Sequence, residues 1–399
     1  MGAPSTVPAD GPTRLIVLGS TGSIGVQTLE VVRALNATRG GPRFEVVGLA
    51  AKSNGDLLRQ QAQEFGVTAV ALAERDGPDA ALRMVEQTGC TLVVSAMVGA
   101  AGLAPTLAAM RRGAHIAIAN KEALVAAGHL LTGGPSHLLP IDSEHSAIWQ
   151  CLQAVPLPLS APVGLARVVL TASGGPFRTQ SAADAFNSTP EQALKHPRWK
   201  MGPKITIDSA TMVNKAFEMI EARWLFNLRS DQIEVAVHPQ SVVHSLVEFD
   251  DGAFLAQLGS PDMKGPIGYA LQAVRSPGDS NRHPAGARRL SFKEAMNLEF
   301  TPACEQRWEA LALARRVIDG SFTTPGSALG AVFNAANEVA VEAFLAGSLP
   351  FGRITGLCRE VMDAMTNARA ATLDGVLAID AQARALACAR AGSHVGGAR

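Results

Sequence analysis

Short apolar runs alternate with stretches of helical spacing over the first third of the chain. Arg14-Leu15-Ile16-Val17-Leu18 is the first run, and Val26 to Leu35 repeats apolar residues at helical intervals. Further apolar runs occupy Phe44–Ala50, Ala69–Leu72, Thr91–Ala96 and His115–Ala119, with helical stretches such as Leu103–Arg112 between them. Near-continuous apolar strands alternating with helices predict a parallel, doubly wound sheet, which binds ligands at the carboxyl ends of its strands. The pattern then changes. Ala166–Leu170 reads as a strand, Lys204–Asp208 alternates as a strand, and Ser209–Leu228 has helical spacing. Val235–His238, Val242–Phe249 and Ala253–Leu258 read as strands of an open sheet, with a face that offers a surface for a dimer. Segments 303–319, 327–347 and 353–365 are helical, and residues 275–289 read as a linker rich in Pro, Gly and charge.

Composition narrows the classes. At 399 residues the chain is too long for one ordinary core, so two or three domains are expected. Its net charge of zero argues against a nucleic-acid protein. No apolar stretch approaches the roughly 18 residues that a membrane helix needs. Residues 1–13 lack the apolar middle of a secretory signal and read as a disordered leader. The Gly2 and Thr6 spacing of a myristoylation motif reads as chance in this Pro-rich segment. Residues 391–399 read as a disordered tail. The five cysteines are odd in number and widely spaced, without a CxxC or Cys/His cluster. Reduced, mostly buried thiols in a cytosolic protein are expected, and no zinc site.

The first strand ends in Gly19-Ser20-Thr21-Gly22-Ser23-Ile24-Gly25, and a helix follows. Glycines let the backbone approach a pyrophosphate, and the helix N-terminus supplies N–H groups. The spacing is G-x-x-G-x-x-G, so a plain strand-to-helix turn is the alternative. The second strand lacks the acid that holds a ribose 2′-OH and runs instead into Lys52-Ser53-Asn54. That favours the 2′-phosphate of NADP; otherwise Lys52 is a solvated loop lysine. Asn120-Lys121-Glu122 stands at another strand end, as a functional triplet or as a helix start.

Asp142-Ser143-Glu144 reads as the end of a strand, with both carboxylates on one side. A divalent cation would relieve their repulsion, whereas a helix capped by Ser143 and running from Ala147 to Ala154 is the plainer reading. On the later helix Asn214, Lys215 and Glu218 share one side. Lys215–Glu218 is otherwise a surface ion pair, while Phe217, Ile220, Leu225 and Phe226 read as core. Ser173-Gly174-Gly175 could present N–H groups to an anion, and residues 196–203 read as a lid loop.

These motifs resemble one family. GSTGSIG at 19–25, ANKEALV at 119–125, IDSEHSAI at 141–148, TASGGPF at 171–177 and the run from His196 to Phe226 are similar to 1-deoxy-D-xylulose 5-phosphate reductoisomerases. So are VHPQSVVHSLVEF at 237–249, LGSPDMKGPIGYAL at 258–271 and FNAANEVAVEAFL at 333–345. The resemblance covers about residues 14–385. It implies an α/β chain: a Rossmann-like doubly wound NADPH domain at 1–141, a central catalytic and dimerisation domain with a mostly open sheet at 142–272, a linker at 273–295, and a C-terminal helical domain with its tail at 296–399. It implies isomerisation and reduction of 1-deoxy-D-xylulose 5-phosphate to 2-C-methyl-D-erythritol 4-phosphate, in non-mevalonate isoprenoid synthesis, with NADPH and Mg²⁺ or Mn²⁺, Co²⁺ also serving. A bacterial cytoplasmic homodimer without nucleic-acid or membrane partners is implied as well.

Carried over by motif, Thr21, Gly22, Ser23, Ile24, Lys52, Ser53, Asn120, Glu122, Met201 and Gly202 would contact NADPH. Asp142, Glu144 and Glu218 would bind the metal. Lys121, Ser143, Glu144, Ser173, His196, Ser209, Asn214, Lys215 and Glu218 would line the substrate site. Lys121, Glu144, His196 and Trp199 would take part in catalysis, Trp199 from the lid. Two departures stand out: Ala51-Lys52-Ser53 replaces the Gly-Lys-Asn of many members, and Pro203 stands where many have Arg or Lys. Two other classes stay open on the residues alone. An NADP-dependent dehydrogenase without rearrangement would not need the metal, and a nucleotide sensor would bind NADPH without oxidising it.

Overall fold

The structure is a computed structural model and describes residues 11–41, 43–132, 138–152, 164–195, 202–274 and 282–393. The chain divides into two compact units. One comprises Met1–Ala123, Leu131–Val163 and Gln257–Ser291; the other comprises Leu124–Leu130, Gly164–Ala256 and Phe292–Arg399.

The first unit is built on six strands: β1 (Thr13–Leu18), β2 (Phe44–Ala51), β3 (Ala69–Leu72), β4 (Leu92–Ser95), β5 (His115–Ile118) and β6 (Leu138–Pro140), in the order β3-β2-β1-β4-β5-β6. The five strand pairs are all parallel. Leu15, Ile16, Val17 and Leu18 are buried without exception, as are Leu92, Val93 and Val94. Both faces of such strands are covered, so continuous apolar runs rather than alternation are the right signal. The strand order reverses between β1 and β4, the kind of switch point at which such sheets bind ligands. The part of the expected linker that is described, 282–289, has irregular backbone but is pinned. Arg282 donates to Gln150 Oε1 at 2.9 Å and lies over the Tyr269 ring, while the Arg288 amide donates to Asp262 at 2.9 Å.

The second unit holds a mixed sheet of β7 (Leu165–Ala172), β8 (Ile233–Val237), β9 (Val243–Phe249), β10 (Phe254–Leu258) and β11 (Thr301–Pro302), in the order β10-β9-β7-β8-β11. β10 leaves Phe254, Leu255 and Leu258 exposed. Helices Glu309–Thr323, Leu329–Leu345, Ile354–Ala364 and Leu373–Ser393 follow. Leu329–Leu345 is the central one. Phe333 meets Phe217 edge-on at 5.2 Å, and both rings are fully buried. Among the described residues no helix is long and apolar enough to cross a membrane.

Several expectations need correction. Residues 204–208 are not a strand: they lie in the helix Pro203–Ala210. Alternation of Ile205 and Ile207 over five residues fits either period. Gly202 as the N-cap and Pro203 at the first helical position decide for helix, because the proline ring presets φ and its missing N–H would be unsatisfied there anyway. The helical stretch after Ser209 breaks at Met212, whose φ is 63°, and restarts as Val213–Phe226. The helix placed at 303–319 begins at Glu309, and the tail expected from 391 is helical as far as Ser393. The cysteines are free, but only Cys151 and Cys358 are buried; Cys304 and Cys388 are exposed and Cys90 is half-buried.

Candidate active site

The nucleotide end is made of backbone. Gly19 has φ 85°, and a Cβ there would lie 2.5 Å from the Ala96 carbonyl oxygen. A Cβ on Gly25 would lie 2.2 Å from Gly19 O, so the loop can fold back on its own strand only with glycine at both positions. Gly19 and Ser20 amides both donate to Ala50 O at 2.8 Å, tying the loop to β2. The helix Ser23–Ala37 starts at Gly22 with no side-chain cap and no acid in its first turn. No side-chain cap and no first-turn carboxylate of the chain itself takes its first N–H groups, an arrangement that suits an anion. Thr21 and Ile24 are half-buried, and Gly22 and Ser23 are exposed beside them. Lys52 and Ser53 are exposed past the end of β2. Asn54 caps the next helix by accepting from the Leu57 amide at 3.1 Å. Gln61, buried on that helix, donates to Ser20 O at 2.9 Å. It holds the glycine loop from below, and the sequence reading missed it.

The ends of β5 and β6 carry the charged residues of this unit. Asn120 is buried and committed to structure. Its Nδ2 donates to Gly99 O at 3.0 Å, and its Oδ1 accepts from the Ala123 amide at 3.2 Å, starting the helix Lys121–Leu131. The helix-start reading of this triplet is the one the structure forms, with Glu122 in the first helical turn. Lys121 reaches across to Asp142, Nζ to Oδ2 2.5 Å, with both side chains largely buried.

The strand expected through Asp142-Ser143-Glu144 ends at Pro140. The Ser146 amide donates to Asp142 O at 2.9 Å, so the first helical turn closes there, and the helix runs Ser143–Leu152. Glu144 sits in that first turn, not beside Asp142 on a strand face. Ser143 Oγ donates to Glu144 Oε2 at 2.5 Å. The plainer reading is right in kind, but the helix starts at Ser143 and not at Ala147, so Ser143 lies in its first turn instead of capping it; the segment still presents two oxygen donors of the kind a hard cation takes.

In the second unit the polar residues cluster around one chain reversal. β7 ends at Ala172, and Ser173 follows with Gly174 and Gly175, whose φ values are 78° and 65°. A Cβ on Gly175 would lie 2.9 Å from Ser209 O and 3.0 Å from Ala210 Cα, so the turn seats directly on the helix end that carries Ser209. The left-handed Met212 then turns the chain into the next helix. There Glu218 accepts from both Asn214 and Lys215. Lys215 and Glu218 are 3% and 1% exposed, so the sequence's surface ion pair is a buried one. That changes its weight. An exposed pair contributes about 0–1 kcal/mol, whereas stripping one partner from a buried pair costs about 3–5 kcal/mol. Phe217, Ile220, Leu225 and Phe226 are fully buried, as expected. Gly202 is exposed at the start of the preceding helix, and His196, Trp199 and Met201 lie outside the described residues.

Family models match most of the chain. One described as "1-deoxy-D-xylulose 5-phosphate reductoisomerase" covers residues 15–77 and 75–128; its C-terminal domain models cover 138–226 and 258–386. The reductoisomerase of Mycobacterium ulcerans is 48% identical over 370 residues, 89% of this chain and 87% of that one. That of Burkholderia multivorans is 44% identical over 398 residues, covering 94% and 95%. The solved reductoisomerase from Zymomonas mobilis in complex with NADPH superposes with a TM-score of 0.83 at 38% identity, covering 96% of this chain and 100% of that one. A solved "DOX-P Reductoisomerase in complex with NADPH, fosmidomycin and magnesium" gives 0.83 at 34% identity, covering 96% and 100%. With family models along most of its length and relatives this similar over nearly all of it, the chain belongs to the 1-deoxy-D-xylulose 5-phosphate reductoisomerase family.

Proposed function

We propose that this chain uses NADPH and a divalent metal ion to isomerise and reduce 1-deoxy-D-xylulose 5-phosphate to 2-C-methyl-D-erythritol 4-phosphate. The observation that carries the reading is the buried cluster on Val213–Phe226. A carboxylate suited to a hard cation there adjoins amide and ammonium donors suited to a phosphate. The all-oxygen set of Asp142, Glu144 and Glu218 fits Mg²⁺ or Mn²⁺, and the uncapped helix start after Gly22 fits a pyrophosphate. Solved relatives carry NADPH and magnesium.

Bound to those carboxylates, the ion would supply Lewis-acid polarisation of the substrate's carbonyl and hydroxyl oxygens. The chain's own residues do the rest. Ser173, Ser209, Asn214 and Lys215 hold the phosphate, whose binding energy positions the reacting end. Lys121, held by Asp142, brings positive charge to the oxygen where an enolate develops. Glu144 exchanges the hydroxyl proton. Lys52 and Ser53 take the 2′-phosphate of NADPH, with Thr21, Gly22, Ser23, Ile24, Asn120, Glu122, Met201 and Gly202 along the cofactor. His196 and Trp199, which lie outside the described residues, belong to the same proposal as substrate-contacting side chains that would exclude water.

The deciding assay follows NADPH oxidation with 1-deoxy-D-xylulose 5-phosphate, with and without EDTA. Oxidation that stops with chelator and returns with Mg²⁺ is expected. Oxidation indifferent to EDTA would favour a plain dehydrogenase, and NADPH binding without oxidation a sensor. The exposed Phe254 and Leu255 on β10 support a homodimer across the open sheet, which the solution mass would test. The division into domains at 1–141, 142–272 and 296–399, and a bacterial cytoplasmic setting, belong to the same proposal.

A further inference from the structure

Two motif segments received no role in the reaction: the asparagines of FNAANEVA and the acid of DSATM. Asp208 is 2% exposed, one residue before Ser209 on the helix Pro203–Ala210. Its Oδ2 accepts from Lys204 Nζ at 2.8 Å, and its Oδ1 accepts from Asn337 Nδ2 at 2.8 Å. Asn337 is fully buried on Leu329–Leu345, the central helix of this unit. A buried carboxylate is costly unless its oxygens are bonded, and here one oxygen has a donor from its own helix and the other has Asn337 from a distant one. Lys204 stands two residues after Gly202, and its ammonium lies 5.4 Å from the centre of the Phe217 ring.

The helix end they fix is the common wall of the phosphate cluster. It carries Ser209, it supports the Ser173-Gly174-Gly175 turn, and it precedes the Met212 reversal to Asn214, Lys215 and Glu218. An eight-residue helix has little stability of its own, so its rotation is set by what it bonds to. Rotation by one residue, about 100°, would carry the Ser209 hydroxyl off the wall and leave the glycine turn unsupported.

We infer that Asp208 and Asn337 are positioning residues of the substrate-phosphate grip: their hydrogen bond fixes the rotation of the helix that presents Ser209 and seats the Ser173-Gly175 turn. This rests on the reading that Ser209 and its neighbours hold the phosphate. Neither residue touches substrate in this scheme, and the cofactor loop lies in the other unit.

The test is a set of steady-state and binding measurements on Asp208→Asn, Asn337→Ala, Ser209→Ala and the double variant Asp208→Asn/Ser209→Ala. Asp208→Asn keeps the shape but loses the charge, and is expected to raise KM for 1-deoxy-D-xylulose 5-phosphate about tenfold, with kcat changed less and NADPH affinity within about twofold. Asn337→Ala should shift the same constant in the same direction by less. The double variant should lose clearly less than the sum of the two single losses, because residues acting through one element are non-additive. Additive losses, or equal losses of substrate and NADPH affinity, would overturn the inference. So would failure of both Asp208→Asn and Asn337→Ala to fold, since the pair would then hold the fold and not the grip. If Ser209→Ala leaves KM unchanged, the phosphate reading itself fails, whatever Asp208→Asn does.

Discussion

The loop Gly19–Gly25 and the segment Asp208–Glu218 are both read here as anion grips, yet they are built oppositely. The first is backbone, exposed only at Gly22 and Ser23, with glycine where a Cβ would collide and a helix start left uncapped. The second is buried side chains, each tied to another: Asp208 to Lys204 and Asn337, Glu218 to Asn214 and Lys215. The difference follows from what each must recognise. A pyrophosphate is met by amides that need no charge of their own. A metal and a phosphate on one small substrate call for charged groups of both signs, and such groups persist in a dry site only when bonded together before the ligand arrives.

The comparison can be broken at its costliest point first. Glu218→Gln should lower turnover by about a hundred- to a thousandfold, since under the proposed function it removes one of the carboxylates that would hold the cation. It should also destabilise the fold by about 3 kcal/mol, because Lys215 stays buried without its counter-charge. Turnover assays and urea melts check both, and an active, equally stable variant would mean that the buried pair is incidental. Gly25→Ala comes next. Its Cβ meets Gly19 O, the loop must shift, and a displacement near 1 Å should weaken NADPH by about a hundredfold. Substrate-analogue affinity should hold, which calorimetry would show; loss of both would mean that the two grips are not separate. Lys52→Ala is the mildest. Under the proposed function it removes one charge-assisted hydrogen bond to the 2′-phosphate, about 1.4 kcal/mol, and so should lower the preference for NADPH over NADH about tenfold. An unchanged ratio would make Lys52 a solvated loop lysine.

The two regions also differed in how far they could be read beforehand. The parallel sheet was legible because its strands are buried on both faces, so each apolar run in the sequence is a strand and its carboxyl end marks the ligand side. The segment around Asp208 was misread where it was shortest. Over five residues alternation and helical spacing look alike, and the signal that decided between them, Gly202 and Pro203 at the helix start, is local chemistry rather than periodicity. Asp142-Ser143-Glu144 carries the same ambiguity: an extended end and a helix start both fit its three residues, and the structure forms the helix. Gln61 and Asn337 went unnoticed because a single amide within a helical stretch carries no mark of what it will meet.

By itself the sequence determined the residue types, the glycine spacing and the run of apolar strands, since sterics and water exclusion act on neighbouring residues. It determined that Asn214, Lys215 and Glu218 share one helix face. The tertiary structure alone decided that this face is buried, that Lys215 and Glu218 are a pair shut away from water, and that Asp208 is gripped by an asparagine 129 positions along the chain. Burial sets what a charge costs, and burial depends on everything that packs around it.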